Sequence, residues 1–171
     1  MVKKKFPVLP RGDAKIPLPL YANNPGSLMD SGIPWDGVEG VVPGQGTMHM
    51  LKFATPEMGV RALVKNLHKH FKENPDQLLG DYFTQSYAPL ATDTYGALLP
   101  KFGFDTAAPL KSVDLNKLLY AIPKIEGYGE LSPEHVQLAK AQLMAEGYAP
   151  VANELGGTLL PAPAPMKPGV K

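Results

Sequence analysis

The sequence contains no cysteine. Disulfide bonds, thiolate nucleophiles and cysteine-ligated zinc sites are therefore excluded. No stretch approaches the roughly 18 to 20 consecutive apolar residues that a membrane-spanning helix needs, so we expect no transmembrane segment. Pro7 and Pro10 interrupt the chain where a secretory signal would have its apolar region, so we also expect no signal peptide.

The sequence also lacks an excess of charge of either sign, because its formal net charge is +1. Such a balance does not favour direct reading of nucleic acid. The local basic run Lys3–Lys5, with Arg11 and Lys15, is interpreted either as a solvated terminus or as a contact to a phosphate or an acidic neighbour. His68 and His70 are two positions apart and lie on different faces of a helix, so no metal site is predicted. No phosphate loop or other cofactor motif is present, and no cofactor is predicted.

Proline, by contrast, is abundant, with 19 in 171 residues and clusters near both ends. Proline fixes φ and removes a backbone donor, so these segments favour extended chain over helix. We predict an N-terminal extended arm over residues 1–20 and a C-terminal Pro/Ala-rich arm over residues 149–171. Two interpretations stay open: disordered tails, or arms that lie along neighbouring subunits of an assembly.

Between the arms, residues 21–148 predict one domain. Its first part is rich in turn signals, among them Asn23–Gly26 and Asp36–Gly37. Partial alternation of apolar residues in Thr47–Phe53 predicts a strand of a small β-hairpin. The rest has apolar residues at helical spacing, and we expect five helices.

Capping signals predict where these helices begin and end. Thr55–Glu57, Asn74–Asp76 and Ser132–Glu134 each combine a capping residue, a proline and an acid, which is typical of a helix start. Another helix is predicted near residues 93–102. Ser112 is predicted to cap a further one, which Pro123 should kink or end, and Gly147 is predicted to end the last. The pattern predicts an α+β fold in which helices dominate.

Six motifs stand in a particular order along the chain. They are Asn23–Leu28, Trp35–Gly37, Leu51–Phe53 with Pro56–Leu63, Tyr87–Pro89 with Thr94–Tyr95, Leu119–Ile122 with Glu126–Gly127, and Leu131–Glu134. In order and spacing, they resemble a family of phage and prophage proteins, often labelled virion structural proteins, that belongs to the lysozyme-like group. The resemblance covers about residues 21–146. The family has asparagine at Ser27, tryptophan at Tyr87, and Glu-Asn-Gly where this chain has Glu126-Gly-Tyr-Gly.

The resemblance implies a lysozyme-like helical domain with a small β-hairpin, flanked by extended proline-rich arms. In ordinary lysozymes the catalytic helix precedes the hairpin, whereas here the predicted hairpin comes first and Glu126 late. A circularly permuted arrangement would reconcile the two orders. It predicts that Glu126 and the Asn23–Gly26 turn face each other across a groove.

Glu126 is the predicted catalytic residue. It follows an apolar helical face and precedes a glycine-containing loop. A carboxyl group in that setting can have its pKa raised by desolvation and act as an acid. The resemblance implies cleavage of the glycan strand as in lytic transglycosylases, where one glutamate serves as acid and then as base. The alternative is a solvated glutamate at a helix terminus; Arg61 is interpreted as facing solvent or as paired with a carboxylate such as Glu126.

The predicted substrate-binding residues are Asn23, Asn24, Trp35, Tyr87 and Tyr128. Side-chain amides can bond N-acetyl groups, although asparagine also serves simply to make turns. Trp35 and Tyr128 can stack on a sugar face, although a lone tryptophan is more often part of a core. Tyr87 stands where the resembled family has tryptophan.

Three hypotheses follow for the function. The first is a virion-associated, lysozyme-like enzyme that acts on peptidoglycan during entry. The second is a structural virion protein that keeps the fold, has lost catalysis, and contacts other virion proteins through its arms. The third is a soluble peptidoglycan-binding module. Location in the virion is expected for the first two, and a homo-oligomer in the particle is left open.

Overall fold

The computed structural model describes residues 5–44, 48–89 and 91–148. Its fold is α+β and mainly helical, as the sequence predicts. The helices are α1 (Leu18–Tyr21), α2 (Pro56–Glu73), α3 (Leu79–Tyr82), α4 (Thr92–Lys101), α5 (Leu115–Ile125) and α6 (Pro133–Ala145), with a π-helical turn over Phe83–Tyr87 and a 3₁₀ turn over Leu110–Ser112. The strands are β1 (Val38–Pro43) and β2 (His49–Phe53).

The chain divides into two compact units. The first contains the residues up to 66 and residues 122–148, and the second contains residues 67–121. Helices α2 and α5 each contribute residues to both units. The predicted domain over residues 21–148 therefore spans both.

The hairpin is antiparallel and lies in the first unit. Val41 pairs with Leu51, and Val42 pairs with Met50. Successive residues of a strand point to opposite faces of the sheet. Accordingly, Val41 and Leu51 belong to one buried apolar cluster, whereas Val42 and Met50 belong to another. Both faces of the hairpin are thus covered.

The N-terminal segment lies along β1. The Val41 N–H donates to the Pro7 carbonyl at 2.8 Å, and the Leu9 N–H donates to the Val41 carbonyl at 2.7 Å. A Cβ on Gly40 would stand 2.6 Å from the Pro7 carbonyl oxygen, so this close approach requires glycine. Residues 7–9 of the predicted arm therefore contact their own chain, and contact with neighbouring subunits stays a prediction. The extended conformation predicted up to residue 20 is wrong at its end, because α1 begins at Leu18, where a proline is tolerated in a first helical turn.

The predicted C-terminal arm, residues 149–171, lies outside the described residues. Among the residues that are described, no helix combines the length and the apolarity required to cross a membrane.

Helix α2 begins as predicted. The Thr55 hydroxyl accepts a hydrogen bond from the Met58 N–H at 3.3 Å, and an acidic residue, Glu57, lies in the first turn. One turn further on, the helix meets the Asn23–Gly26 turn. A Cβ on Gly59 would stand 1.7 Å from the Asn23 carbonyl oxygen, so only glycine allows this contact.

The prediction that Asn74–Asp76 opens a helix is wrong. These residues form a turn, and α3 begins at Leu79. The Leu79 N–H donates to the Ala108 carbonyl at 2.9 Å, and the Gly80 N–H donates to the Thr106 carbonyl at 2.8 Å. If a helix began at residue 75, these N–H groups would donate to carbonyls within that helix. They donate instead to the segment that contains Thr106 and Ala108.

The predicted cap of α5 is also wrong, by two residues. Asp114 caps this helix by accepting from the Lys117 N–H at 3.0 Å. The Ser112 hydroxyl instead donates to a carbonyl three residues earlier. Pro123 lies inside α5, and the helix continues to Ile125, so the proline does not end it.

Both ends of α6 agree with the prediction. The Ser132 hydroxyl accepts from the His135 N–H at 3.4 Å. At the other end Gly147 has a φ of +98°, and the Tyr148 N–H donates to the Leu143 carbonyl at 3.0 Å. This is the usual way in which glycine ends a helix.

The contact between Gly59 and the Asn23 carbonyl predicts the effect of a single methyl group. Gly59→Ala should lower the free energy of unfolding by about 3 kcal/mol, the upper end of the overpacking range, because a backbone carbonyl cannot rotate aside. Urea denaturation measures the effect. Gly96→Ala is the matched control, since Gly96 lies in α4 with open space around it; it should gain about 0.5–1 kcal/mol. Equal effects of the two substitutions would contradict the close contact between Gly59 and the Asn23 carbonyl.

Candidate functional site

Glu126 is the first residue beyond α5, and it is half-buried. Gly127 follows with a φ of +88°. The Gly127 N–H donates to the Lys124 carbonyl at 3.3 Å, and the Tyr128 N–H donates to the Pro123 carbonyl at 2.8 Å. These two bonds are the pair by which glycine closes a helix. They fix the backbone around Glu126 and place its carboxyl group at a helix end, as predicted.

Asn24 is fully buried, and its side-chain amide bonds only to backbone. Its nitrogen donates to the Leu28 carbonyl at 2.9 Å and to the Leu51 carbonyl at 2.8 Å, while its oxygen accepts from the Leu28 N–H at 2.9 Å. Both amide protons are therefore used within the chain. The Asn24 side chain joins its own turn to β2 and is not open to a sugar.

Asn23 is half-buried and has a φ of +51°. Asparagine tolerates this left-handed backbone better than most residues. Its side-chain nitrogen donates to the Phe53 carbonyl at 3.0 Å. Asn23 thus forms the turn that the sequence predicts. The residue is only half-buried, so part of it remains at the surface.

Trp35 is partly buried against the cluster that contains Val41, Leu51 and Phe53. Trp35 therefore packs against the core of the first unit, which is the commoner role of a lone tryptophan. Because the residue is only partly buried, some of its surface can still meet a ligand.

Tyr128 lies near the first turns of two helices. Burial raises the pKa of its phenol, and the Glu57 carboxylate raises that pKa further. Glu57 Oε1 lies 4.0 Å from His135 Nε2 in α6. The Glu57 carboxylate thus lies close to the His135 imidazole and within electrostatic reach of the Tyr128 phenol. Because the phenol keeps its proton at neutral pH, Tyr128 can donate a hydrogen bond there.

Tyr87 belongs to the second unit. It ends the π-helical turn and packs among three rings, with ring centroids 5.7 Å from Tyr82, 5.2 Å from Phe83 and 6.1 Å from Tyr95. Edge and tilted contacts of this kind stabilise aromatic clusters. Tyr87 therefore has a packing role in its own unit, while the other predicted site residues all lie in the first unit.

Arg61 is buried, with 4% of its surface exposed. Its Nη2 lies 2.5 Å from Glu146 Oε1 and 3.5 Å from Asp36 Oδ2. Of the two interpretations of Arg61, solvent-facing or paired, the structure supports pairing, and it identifies these two carboxylates as partners. The hydrogen bond from Arg61, together with its charge, holds the pKa of the Glu146 carboxyl below its ordinary value.

Four polar residues of this region do not follow from the sequence patterns: Asp36, Glu57, His135 and Glu146. Arg61 and Glu146 are separated by 85 positions, and no local spacing connects them. In the sequence, Glu57 is already explained as the acidic residue of a helix start, so nothing there indicates a second role for it. Among the described residues, no group of three or more metal-ligating side chains converges on one point.

No known protein-family model matches this sequence, and no curated protein matches it either. The roles of the residues therefore have to be argued from the geometry of the first unit. Its half-buried candidates are Asn23, Trp35, Glu126 and Tyr128.

The burial of Asn24 leads to a stability prediction. Asn24→Ala should lower the free energy of unfolding by about 3 kcal/mol, because it leaves buried backbone groups of Leu28 and Leu51 without their partner. Asn74→Ala is the control, since Asn74 donates a single 3.3 Å bond from a half-buried position and should cost less than about 1 kcal/mol. Chemical denaturation compares the two; equal losses would argue against a structural role for the Asn24 amide.

The Arg61–Glu146 pair leads to a pH prediction. The folded-state pKa of Glu146 is lowered, so the pair stabilises the fold above the ordinary carboxyl value of about 4.5 and loses that contribution as the pH falls further. Glu146→Gln should therefore be less stable than wild type at neutral pH, and the difference should shrink below about pH 4.5. Urea denaturation across a pH series measures it; a difference that stays constant down to acid pH would contradict the pairing.

Proposed function

We propose that this protein is a virion-associated, lysozyme-like protein of a phage, and that it cleaves the glycan strands of host peptidoglycan during entry. The observation that carries the proposal is the position of Glu126. Glu126 is a half-buried residue at the end of α5, and a left-handed glycine follows it. Such a helix end followed by a loop is the setting of the catalytic acid in lysozyme-type enzymes.

The order of the elements is part of the proposal. The hairpin of β1 and β2 precedes α5 in the chain, and it belongs to the same unit as Glu126. We propose a circularly permuted lysozyme-like arrangement, in which the Asn23–Gly26 turn forms one wall of the groove and Glu126 stands on the other. The six motifs that resemble the phage virion family support this reading.

Glu126 acts first as an acid and then as a base. Its carboxyl proton passes to the glycosidic oxygen as the bond from that oxygen to the anomeric carbon breaks. The resulting carboxylate then takes the proton of the sugar's own primary hydroxyl, whose oxygen attacks the anomeric carbon. The product is a 1,6-anhydro sugar, and no second carboxylate or water enters the reaction.

Three half-buried groups are available to hold the sugar. Tyr128 offers a phenol that remains a donor, Asn23 offers the oxygen of its side-chain amide, and Trp35 offers an aromatic ring. Asn24 is not among them, because its amide is engaged with backbone in the interior. Tyr87 is proposed only as a packing residue of the second unit.

The second candidate is a structural virion protein that keeps the fold without catalysis and contacts other virion proteins through its arms. A specific observation favours it: Asn24 and Trp35, two of the residues expected to bind sugar, contribute mainly to the core. In that case the half-buried Glu126 would be a helix-end residue alone.

Zymography on purified peptidoglycan separates the two candidates. We expect the wild type to release 1,6-anhydro products, which are lighter by one water than hydrolysed products. Glu126→Gln should lose at least about 100-fold of this activity, because the amide can no longer transfer a proton. Glu130→Gln is the matched control: its side chain is 80% exposed and pairs with Lys124 at 3.0 Å, so activity should be retained.

Each outcome decides between the candidates. Activity in the wild type and in Glu130→Gln, with none in Glu126→Gln, supports the enzyme. Inactivity of all three folded proteins supports the structural candidate. Equal activity of all three would show that another residue carries the chemistry.

A further inference from the structure

The turn that leads into β1 contains the dipeptide Asp36–Gly37. It is the only Asp–Gly or Asn–Gly step in the sequence. Glycine has no side chain to shield its backbone nitrogen, so in this dipeptide the nitrogen can approach the neighbouring carboxyl group more closely than in any other. The reaction then depends on whether the folded turn lets the Gly37 nitrogen reach the Asp36 carboxyl group.

The structure leaves the Asp36 carboxyl group accessible. Its side chain is 71% exposed, and its described contact is the 3.5 Å ion pair with Arg61. Arg61 is buried and has a shorter contact to Glu146 at 2.5 Å, so the longer contact holds the exposed Asp36 side chain only weakly. The carboxyl group can therefore turn from Arg61 toward the backbone.

The backbone nitrogen of Gly37 is also accessible. Gly37 has a φ of +81°, and its carbonyl accepts from the Ala54 N–H at 2.8 Å. Within the part of the chain that the structure describes, the Gly37 N–H itself makes no hydrogen bond. The turn is thus anchored through its carbonyl, while the nucleophilic nitrogen is left uncommitted.

We propose that Asp36 is a site of spontaneous isomerisation to isoaspartate. The Gly37 nitrogen attacks the side-chain carboxyl carbon of Asp36; a C–N bond forms, the nitrogen loses its proton, and one water leaves. Water then adds to the main-chain carbonyl carbon of the cyclic imide, and the bond from that carbon to nitrogen breaks. The chain now runs through the former side chain, the mass is unchanged, and no oxidant, reductant or further reactant is needed.

The change affects the Arg61 cluster. Isomerisation adds one methylene to the backbone of the turn and displaces the carboxylate, so Arg61 loses one of its two partners and retains Glu146. Because Arg61 is buried, the loss of a partner carries a cost in stability. The isomerised protein is therefore expected to unfold at a lower urea concentration than the fresh protein. This inference does not depend on the proposed enzymatic function.

The test is to age the purified full-length protein at neutral pH and physiological temperature. Peptide mapping and isoaspartyl methyltransferase labelling then locate isoaspartate. We expect several-fold more at residue 36 than at Asp13, an exposed aspartate followed by alanine. Asp36→Glu is the matched variant: it keeps the charge beside Arg61, but its longer side chain closes the ring far more slowly, so labelling at residue 36 should disappear.

Accumulation at residue 36 in the folded protein, abolished by Asp36→Glu, supports the proposal. Accumulation no greater than at Asp13 would overturn it. Accumulation at residue 36 only after unfolding in urea would overturn it as well, because the proposal states that the folded turn permits the reaction.

Discussion

The buried amide of Asn24 is the interaction on which the first unit depends. It bonds to the backbone of its own turn and to the backbone of β2, so the turn and the hairpin share one polar network. The neighbouring Asn23 carbonyl sits against Gly59, which fixes the start of α2 against the same turn. Two adjacent asparagines thus hold their own turn against β2 and the start of α2, which lie about 25 to 35 positions further along the chain.

This constraint determines which groups can meet near the candidate site. Once the start of α2 is fixed, Glu57 stands beside His135 and Tyr128, and Arg61 reaches Asp36 and Glu146. The carboxylates around Arg61 pair with a buried guanidinium, whereas Glu126 and Tyr128 are half-buried residues of the loop that follows α5. The proposed function assigns catalysis to Glu126 and sugar binding to Tyr128, and it leaves the ion pairs a structural role.

Local signals predicted the helix starts well where nothing competed with them. Thr55 and Ser132 cap α2 and α6 as their sequences indicate. The same kind of signal at Asn74–Asp76 failed, because backbone donors at Leu79 and beyond bond to a distant segment. A capping motif contains information only about residues close to one helix end. It therefore cannot predict that a distant segment will accept hydrogen bonds from the same backbone.

By itself, the sequence determined the class of fold, the hairpin, the start of α2, both ends of α6, and the helix-end position of Glu126, because these depend on neighbours within a few residues. Only the tertiary structure decided that Asn24 points inward and that Arg61 is buried between carboxylates. The local sequence around an asparagine is the same whether its side-chain amide only forms a turn or also joins that turn to a distant segment. A pair separated by 85 positions leaves no spacing to recognise, since folding alone brings its members together.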